Sequence, residues 1–253
     1  MKTLNSIEDV VQELDGIIAW SVRENSPLGY FACTYRSMTL AVSDAVKKKK
    51  FEDGKRMITL DLAFATRYLE AFENFRNGHK CTNAWFTAFE AAENKNLLIM
   101  QHILLGINAH INLDLGVSAA SIMPYRKIAP LKNDFNKINE VIASINQKVQ
   151  DSLSKICYPV ELIDEISQGQ DNVILDFAIS RARETSWAGA FVLSNAATFI
   201  RPTLINMIDN AATLVARNII VSTKTPANLL QKLKSCESGD VGHNIKILSD
   251  TKL

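Results

Sequence analysis

The four cysteines of this 253-residue chain, Cys33, Cys81, Cys157 and Cys236, form no C-x-x-C pair. That spacing excludes a zinc ribbon and a dithiol redox motif. The opening stretch MKTLNSIEDVVQELDG is acidic where a secretory leader needs a basic start and an unbroken apolar run, so reduced thiols and a cytoplasmic location are expected. Histidines also number only four. No Gly-rich phosphate loop, G-x-S-x-G elbow, H-E-x-x-H or E-x-x-H motif occurs, which removes the most recognisable enzyme classes. Charge of one sign is missing as well: 28 Lys and Arg stand against 27 Asp and Glu, so no global field recruits nucleic acid or an anionic membrane, and neither is expected as a partner. There is no period-2 segment of useful length and no internal repeat, and β-branched residues cluster only at Ile219-Ile220-Val221.

What is present is an ordinary globular composition, 47% hydrophobic and 22% charged, long enough to bury a sizeable core. The apolar residues recur with helical spacing. Ser6 with Glu8 and Asp9 marks a helix start. Tyr35, Met38 and Val42 form one stripe of a second helix, and Met57, Leu60, Phe64, Tyr68 and Phe75 one stripe of a third, with Asp61 beside it and Gly78 as its stop. Phe135, Ile138, Ile142, Ile145 and Val149 describe a long amphipathic helix over about 131–156, which Pro159 closes. Val173, Phe177, Ala188 and Phe191 share a stripe with Arg181 and Glu184, placing charges towards the core. Arg201-Pro202 opens a further helix and Pro226 a last short one. The expected fold is all-α: eight or nine helices in a single domain over 1–234, with a loosely held tail over 235–253.

The chain is organised around Asn96–Ser118, NLLIMQHILLGINAHINLDLGVS, whose apolar run carries Gln101, His102, Asn108, His110, Asn112 and Asp114. These polar residues make a lipid-exposed span costly, so the segment reads as a helix buried in protein. On a regular helix His110 and Asp114 stand ~40° and ~6 Å apart and can meet one partner. His102 lies ~12 Å from His110 along the axis and ~80° round it, too far for both to ligate one metal readily. Gln101, Asn108 and Asn112 share another stripe and read as a ladder of hydrogen bonds to neighbouring helices.

Two readings of the pair stand open. In the functional one, His110 and Asp114 ligate a divalent metal ion or act as an oriented base and its partner, with Arg181 and Glu184 as further catalytic groups and His102, Asn108 and Asp61 contacting a small-molecule ligand. In the structural one, the pair is a hydrogen bond that fixes helix register, and the chain is a ligand-binding or scaffold protein without catalysis. Trp85 and Trp187 read as core anchors. Self-association through the amphipathic helix at 131–156 is compatible with the pattern, which fixes no stoichiometry.

The segment Leu105–Leu115, LGINAHINLDL, resembles the signature of a bacterial family catalogued as a domain of unknown function, number 5995. FEDGKRMITLDLAFATRYLEAF (Phe51–Phe72), Trp85 and RETSW (Arg183–Trp187) support the likeness, which covers about Tyr30–Arg217. The resemblance implies a helical fold in which Gly106, Asn108, His110 and Asp114 matter together, and it brings no activity. A looser likeness to zinc-dependent phospholipase C and single-strand nuclease folds rests on a shared His-x-x-x-Asp pair. Those enzymes assemble several histidines into a trinuclear site, and this chain is too poor in histidine for that.

Overall fold

Ser6 opens the first helix as its neighbours predict. Its hydroxyl accepts from the Asp9 amide at 3.1 Å while the Asp9 carboxylate accepts from the Ser6 amide at 3.1 Å, a reciprocal capping box. The computed structural model describes residues 3–125, 127–157, 171–221 and 227–249, the side chains at 142–151, 153, 157, 171–181, 227 and 229 excepted. Pro159 and Pro226 lie outside the described residues, as do the side chains of Ile142, Ile145, Val149, Val173, Phe177 and Arg181.

The chain is all-α. Besides two three-residue 3-10 turns, the described residues hold ten helices when the central one is counted as continuous: α1 (Ile7–Arg23), α2 (Leu28–Lys47), α3 (Gly54–Arg76), α4 (Asn83–Glu90), α5 (Ile99–Ile122), α6 (Lys132–Cys157), α7 (Asp171–Asn195), α8 (Arg201–Val221), α9 (Ala227–Cys236) and α10 (Val241–Ser249). That is slightly more than the sequence pattern predicts. The additional helix is α10, where a loose tail was expected. Val241, Ile245 and Leu248 recur at helical spacing, and all three are buried against α1, α2 and α6, with Asp240 accepting from the His243 amide at 2.9 Å. Nine residues are too few for a periodicity signal to stand out, and burial supplies what propensity alone cannot.

Helix α5 is the buried axis of a single domain, packed by α2, α3, α4, α7 and α8. Two glycines permit the close approaches. A Cβ on Gly106 would sit 2.2 Å from the Phe31 ring of α2, and one on Gly116 would sit 2.8 Å from the Ser186 carbonyl oxygen of α7. Either clash would push a neighbouring helix outward.

The register of α7 differs from the expected stripe. Arg183, Ser186, Ala190, Leu193 and Ser194 face the core, while Glu184 and Ala188 are exposed and Phe191 is half exposed. The reason is the Gly116 contact. Where backbones meet closely, the inward positions are taken by small residues, so a stripe drawn through the large ones points the wrong way.

Three helix starts are held by carboxylates from distant parts of the chain. Asp134 of α6 accepts from the Glu52 and Asp53 amides at 2.7 and 3.0 Å ahead of α3 and pairs with Arg56 at 2.8 Å. Asp209 of α8 accepts from Asn83 and Ala84 of α4, each at 2.8 Å. Glu237 accepts from Ile99 at the start of α5 at 2.7 Å. Each places a negative charge where unpaired amides and the positive end of the helix dipole need one. Asp209→Ala is expected to lower stability by about 2 kcal/mol, because both α4 amides are left without a buried acceptor. Faster hydrogen exchange at Asn83 and Ala84, with little change in α1, would identify the lost cap as the cause.

Candidate functional site

Within α5 the α-helical pattern gives way to a π-helical stretch over Ala109–Leu115, which contains His110, Asn112 and Asp114. Such stretches are rare inside α-helices and are found frequently at functional sites. The ladder expected on the other stripe is present and turns towards α8. Gln101 donates to the Ile219 carbonyl at 2.8 Å, Asn108 to the Ala212 carbonyl at 2.8 Å, and Asn112 to the Asn108 side-chain oxygen at 2.9 Å. These bonds lock α8 to the central helix and leave the opposite stripe to the site.

His110 stands in an aromatic box. Phe64 stacks on the imidazole with centroids 3.5 Å apart, Tyr35 meets it edge-on at 4.3 Å, and Phe31, Tyr68 and Trp85 close the sides at 5.6, 6.1 and 6.1 Å. Neither ring nitrogen has a hydrogen-bond partner among the described residues. Its Nδ1 lies 3.6 Å from Asp114, beyond hydrogen-bond length. Burial holds the imidazole below its ordinary pKa, and the Asp114 carboxylate offsets only part of that penalty. His110 is therefore neutral near pH 7.

Asp114 is fully buried and doubly held. Arg67 Nε of α3 donates to one carboxylate oxygen and Trp85 Nε1 of α4 to the other, each at 2.7 Å. The four-residue spacing pairs Asp114 with His110, and the two do stand together at 3.6 Å; the groups that donate hydrogen bonds to the carboxylate come from α3 and α4. Arg67 belongs to a stretch already singled out, Phe51–Phe72, but shows no period that marks it. Trp85 read as a core anchor, which it is, and its indole N–H required a buried acceptor that the sequence could not name.

The other candidates are dispersed. His102, two turns before His110, lines a void of about 10 Å³ with Pro27, Phe31 and Gly106, too small for more than one water. Burial lowers its pKa to about 4, and the Lys234 charge adds to the shift. Asn108 is committed to the ladder. Asp61 is buried, with one oxygen lacking a partner and its pKa raised by burial to about 7. Its charge and that of Asp114 both act on the Tyr35 hydroxyl, which places it by the aromatic box. Glu184 faces outward, and the Arg181 side chain is outside the described residues. Arg183 is the buried cation of that helix, donating to the Phe135 carbonyl at 2.6 Å and to Asn139.

Asp114 and Arg67 form the inner wall of a cleft of about 470 Å³ between α3, α4 and α8, lined also by Trp85, Lys80, Asn83 and Asn206. His110 is not among the lining residues and sits behind Asp114. Cys81, at the rim, has its thiol pKa pushed up by burial and is no activated nucleophile. The donor set does not fit a resident metal. Both Asp114 oxygens already accept hydrogen bonds, the Arg67 guanidinium would lie inside the coordination shell, and no three His, Cys, Asp or Glu residues converge among the described residues.

No curated protein and no solved structure is matched by this chain. The model of a family of unknown function, DUF5995, matches residues 7–222, from the first residue of α1 past the end of α8 and so across every element that builds the box and the cleft; the chain belongs to that family.

Proposed function

We propose that the protein binds a small carboxylate-bearing molecule in the cleft over Asp114, with Arg67 as the recognising group and no metal involved. The carrying observation is the state of Arg67. Its Nε is tied to Asp114, its side chain is 28% exposed, and its terminal nitrogens have no protein partner among the described residues. An anchored guanidinium with a free fork matches a carboxylate bidentately and loses little entropy in doing so. Lys80 adds a second positive charge; of the carboxylates on the wall, Asp209 is spent on the α4 amides and Asp114 on Arg67 and Trp85, which leaves the exposed Glu70, one turn along α3, as the group a bound anion must outcompete for the Arg67 fork. The volume suits a small ligand.

The test is calorimetry on the full chain with a panel of small mono- and dicarboxylates and with inorganic phosphate, in the presence of a chelator. At least one carboxylate is expected to bind, roughly ten-fold or more weaker to Arg67→Lys, which keeps the charge on Asp114 and loses the fork. If none binds at millimolar concentration to protein shown to be folded, the reading fails. It fails equally if purified protein carries stoichiometric divalent metal that both His110→Ala and Asp114→Ala lose, the result that a metal-dependent enzyme requires.

A further inference from the structure

Helix α8 buries one face and carries an apolar strip on the opposite one. Asp209, Ala212, Thr213 and Ala216 turn inward against α4 and α5. At ~100° per residue the centre of the opposite face falls on Ile200, Met207, Ala211 and Asn218, flanked by Leu214 and Val221. That outer face is open: Met207 is 62% exposed, Leu214 60% and Val221 66%, and Phe199 just ahead of the helix is 82% exposed. Of the eleven large hydrophobic side chains exposed among the described residues, six fall between Phe199 and Val221. An exposed apolar strip of this extent on a helix whose other face is already packed marks an interaction surface.

The spacing says what kind of cover. Ile200, Met207, Leu214 and Val221 recur every seven residues, and Leu204, Ala211 and Asn218 recur every seven in register with them, the two positions of a coiled-coil seam. We propose that this face is a two-fold interface with a second copy of the same chain, the two α8 helices packing antiparallel.

The seam complements itself. Ala211 at its middle leaves room for Met207 of the other copy, a large residue over a small one. The charges favour the same orientation, because α8 presents no exposed carboxylate. A parallel pair would bring the two Arg217 guanidinium groups to one level, whereas an antiparallel pair sends them to opposite ends, roughly 20 Å apart. Asn218 on the seam is unfavourable in hydrocarbon and sets register in a helix pair, so a second protein surface fits better than lipid. At on the order of 100 Å² for each half-exposed large side chain, the six residues approach the ~800 Å² that each partner contributes to a standard interface.

The experiment is sedimentation equilibrium of the untagged full chain from low nanomolar to tens of micromolar, alongside Met207→Glu and Leu214→Glu. Both sites are exposed, so both variants are expected to keep the parent's helical signal and, as monomers, to melt where the parent melts at concentrations too low for it to dimerise. The parent is expected to reach twice its 28.1 kDa mass, and each variant to associate at least ~100-fold more weakly. A parent that stays at 28.1 kDa throughout overturns the proposal, as does a dimer that both glutamates leave intact. Co-sedimentation of the parent with phosphatidylcholine vesicles, lost in Leu214→Glu, would assign the face to lipid instead.

Discussion

Asp114→Ala is expected to lower the stability of the protein by about 3–4 kcal/mol, among the largest single-residue losses the fold can show. The Trp85 indole N–H loses its acceptor, and because Trp85 is 1% exposed it cannot turn to water; a buried donor left unpaired costs about 1–3 kcal/mol. The Arg67 guanidinium loses its counter-charge, but with 28% of its side chain exposed to the cleft it recovers part of that in water, so its share is discounted. The remainder is the cavity beside the His110 ring. Urea unfolding followed by tryptophan fluorescence measures the total. A double-mutant cycle then isolates the pair: Trp85→Phe should cost clearly less in the Asp114→Ala background than in the parent, because the second change removes a donor that the first had orphaned. Additive losses, or a total below about 1 kcal/mol, would mean that cleft water already satisfies the indole.

The pair at the centre of this prediction was only half legible from the chain. An apolar run with His110 and Asp114 four apart announces a buried carboxylate, and a buried carboxylate must have donors. What the spacing cannot say is which donors. Arg67 and Trp85 lie 47 and 29 residues away and reach Asp114 only because α3 and α4 pack on the same side of α5. The same limit governs Asp134, Asp209 and Glu237, which hold helix starts 82, 126 and 138 residues distant. Local capping signals such as Ser6–Asp9 are readable because both partners are neighbours in sequence. Glu184 shows a different failure. By periodicity the large apolar residues of α7 mark its inner face, yet Gly116 draws the two helices so close that Ser186 and Ala190 occupy it. The helix class, the buried central segment and the family were legible because each rests on periodicity or on a contiguous motif.

A second buried carboxylate is expected to behave in the opposite way: Asp61→Asn should stabilise the protein at pH 8, by about 2–4 kcal/mol. Asp114 has two donors at 2.7 Å, whereas one Asp61 oxygen has no partner, and burial raises the Asp61 pKa from 3.8 to about 7. The fold therefore prefers the protonated acid, while the unfolded chain gives its proton up above about pH 4. Between these two values the folded state binds the extra proton, so stability falls as pH rises; above pH 7 the full penalty is in force, about 4 kcal/mol for a shift of this size. An amide of the same shape never carries the charge, so its advantage is greatest above pH 7 and vanishes below pH 4. His102 works with the reverse sign. Its pKa is lowered to about 4, the unfolded imidazole takes up a proton first, and stability falls as pH drops from 6.5 towards 4. His110 is shifted in the same direction. In the parent the aspartate and the histidines oppose each other across one pH window and flatten the stability profile. Removing the aspartate's contribution should expose a slope, with Asp61→Asn gaining stability steadily from pH 4 to 6.5 by up to about 1.4 kcal/mol per pH unit for each histidine involved. Melting temperatures of parent and variant at half-unit steps from pH 4 to 8 measure both effects. A variant less stable than the parent at pH 8 would show that the Asp61 carboxylate is ionised and paired in the fold, and the two carboxylates would then be doing the same job.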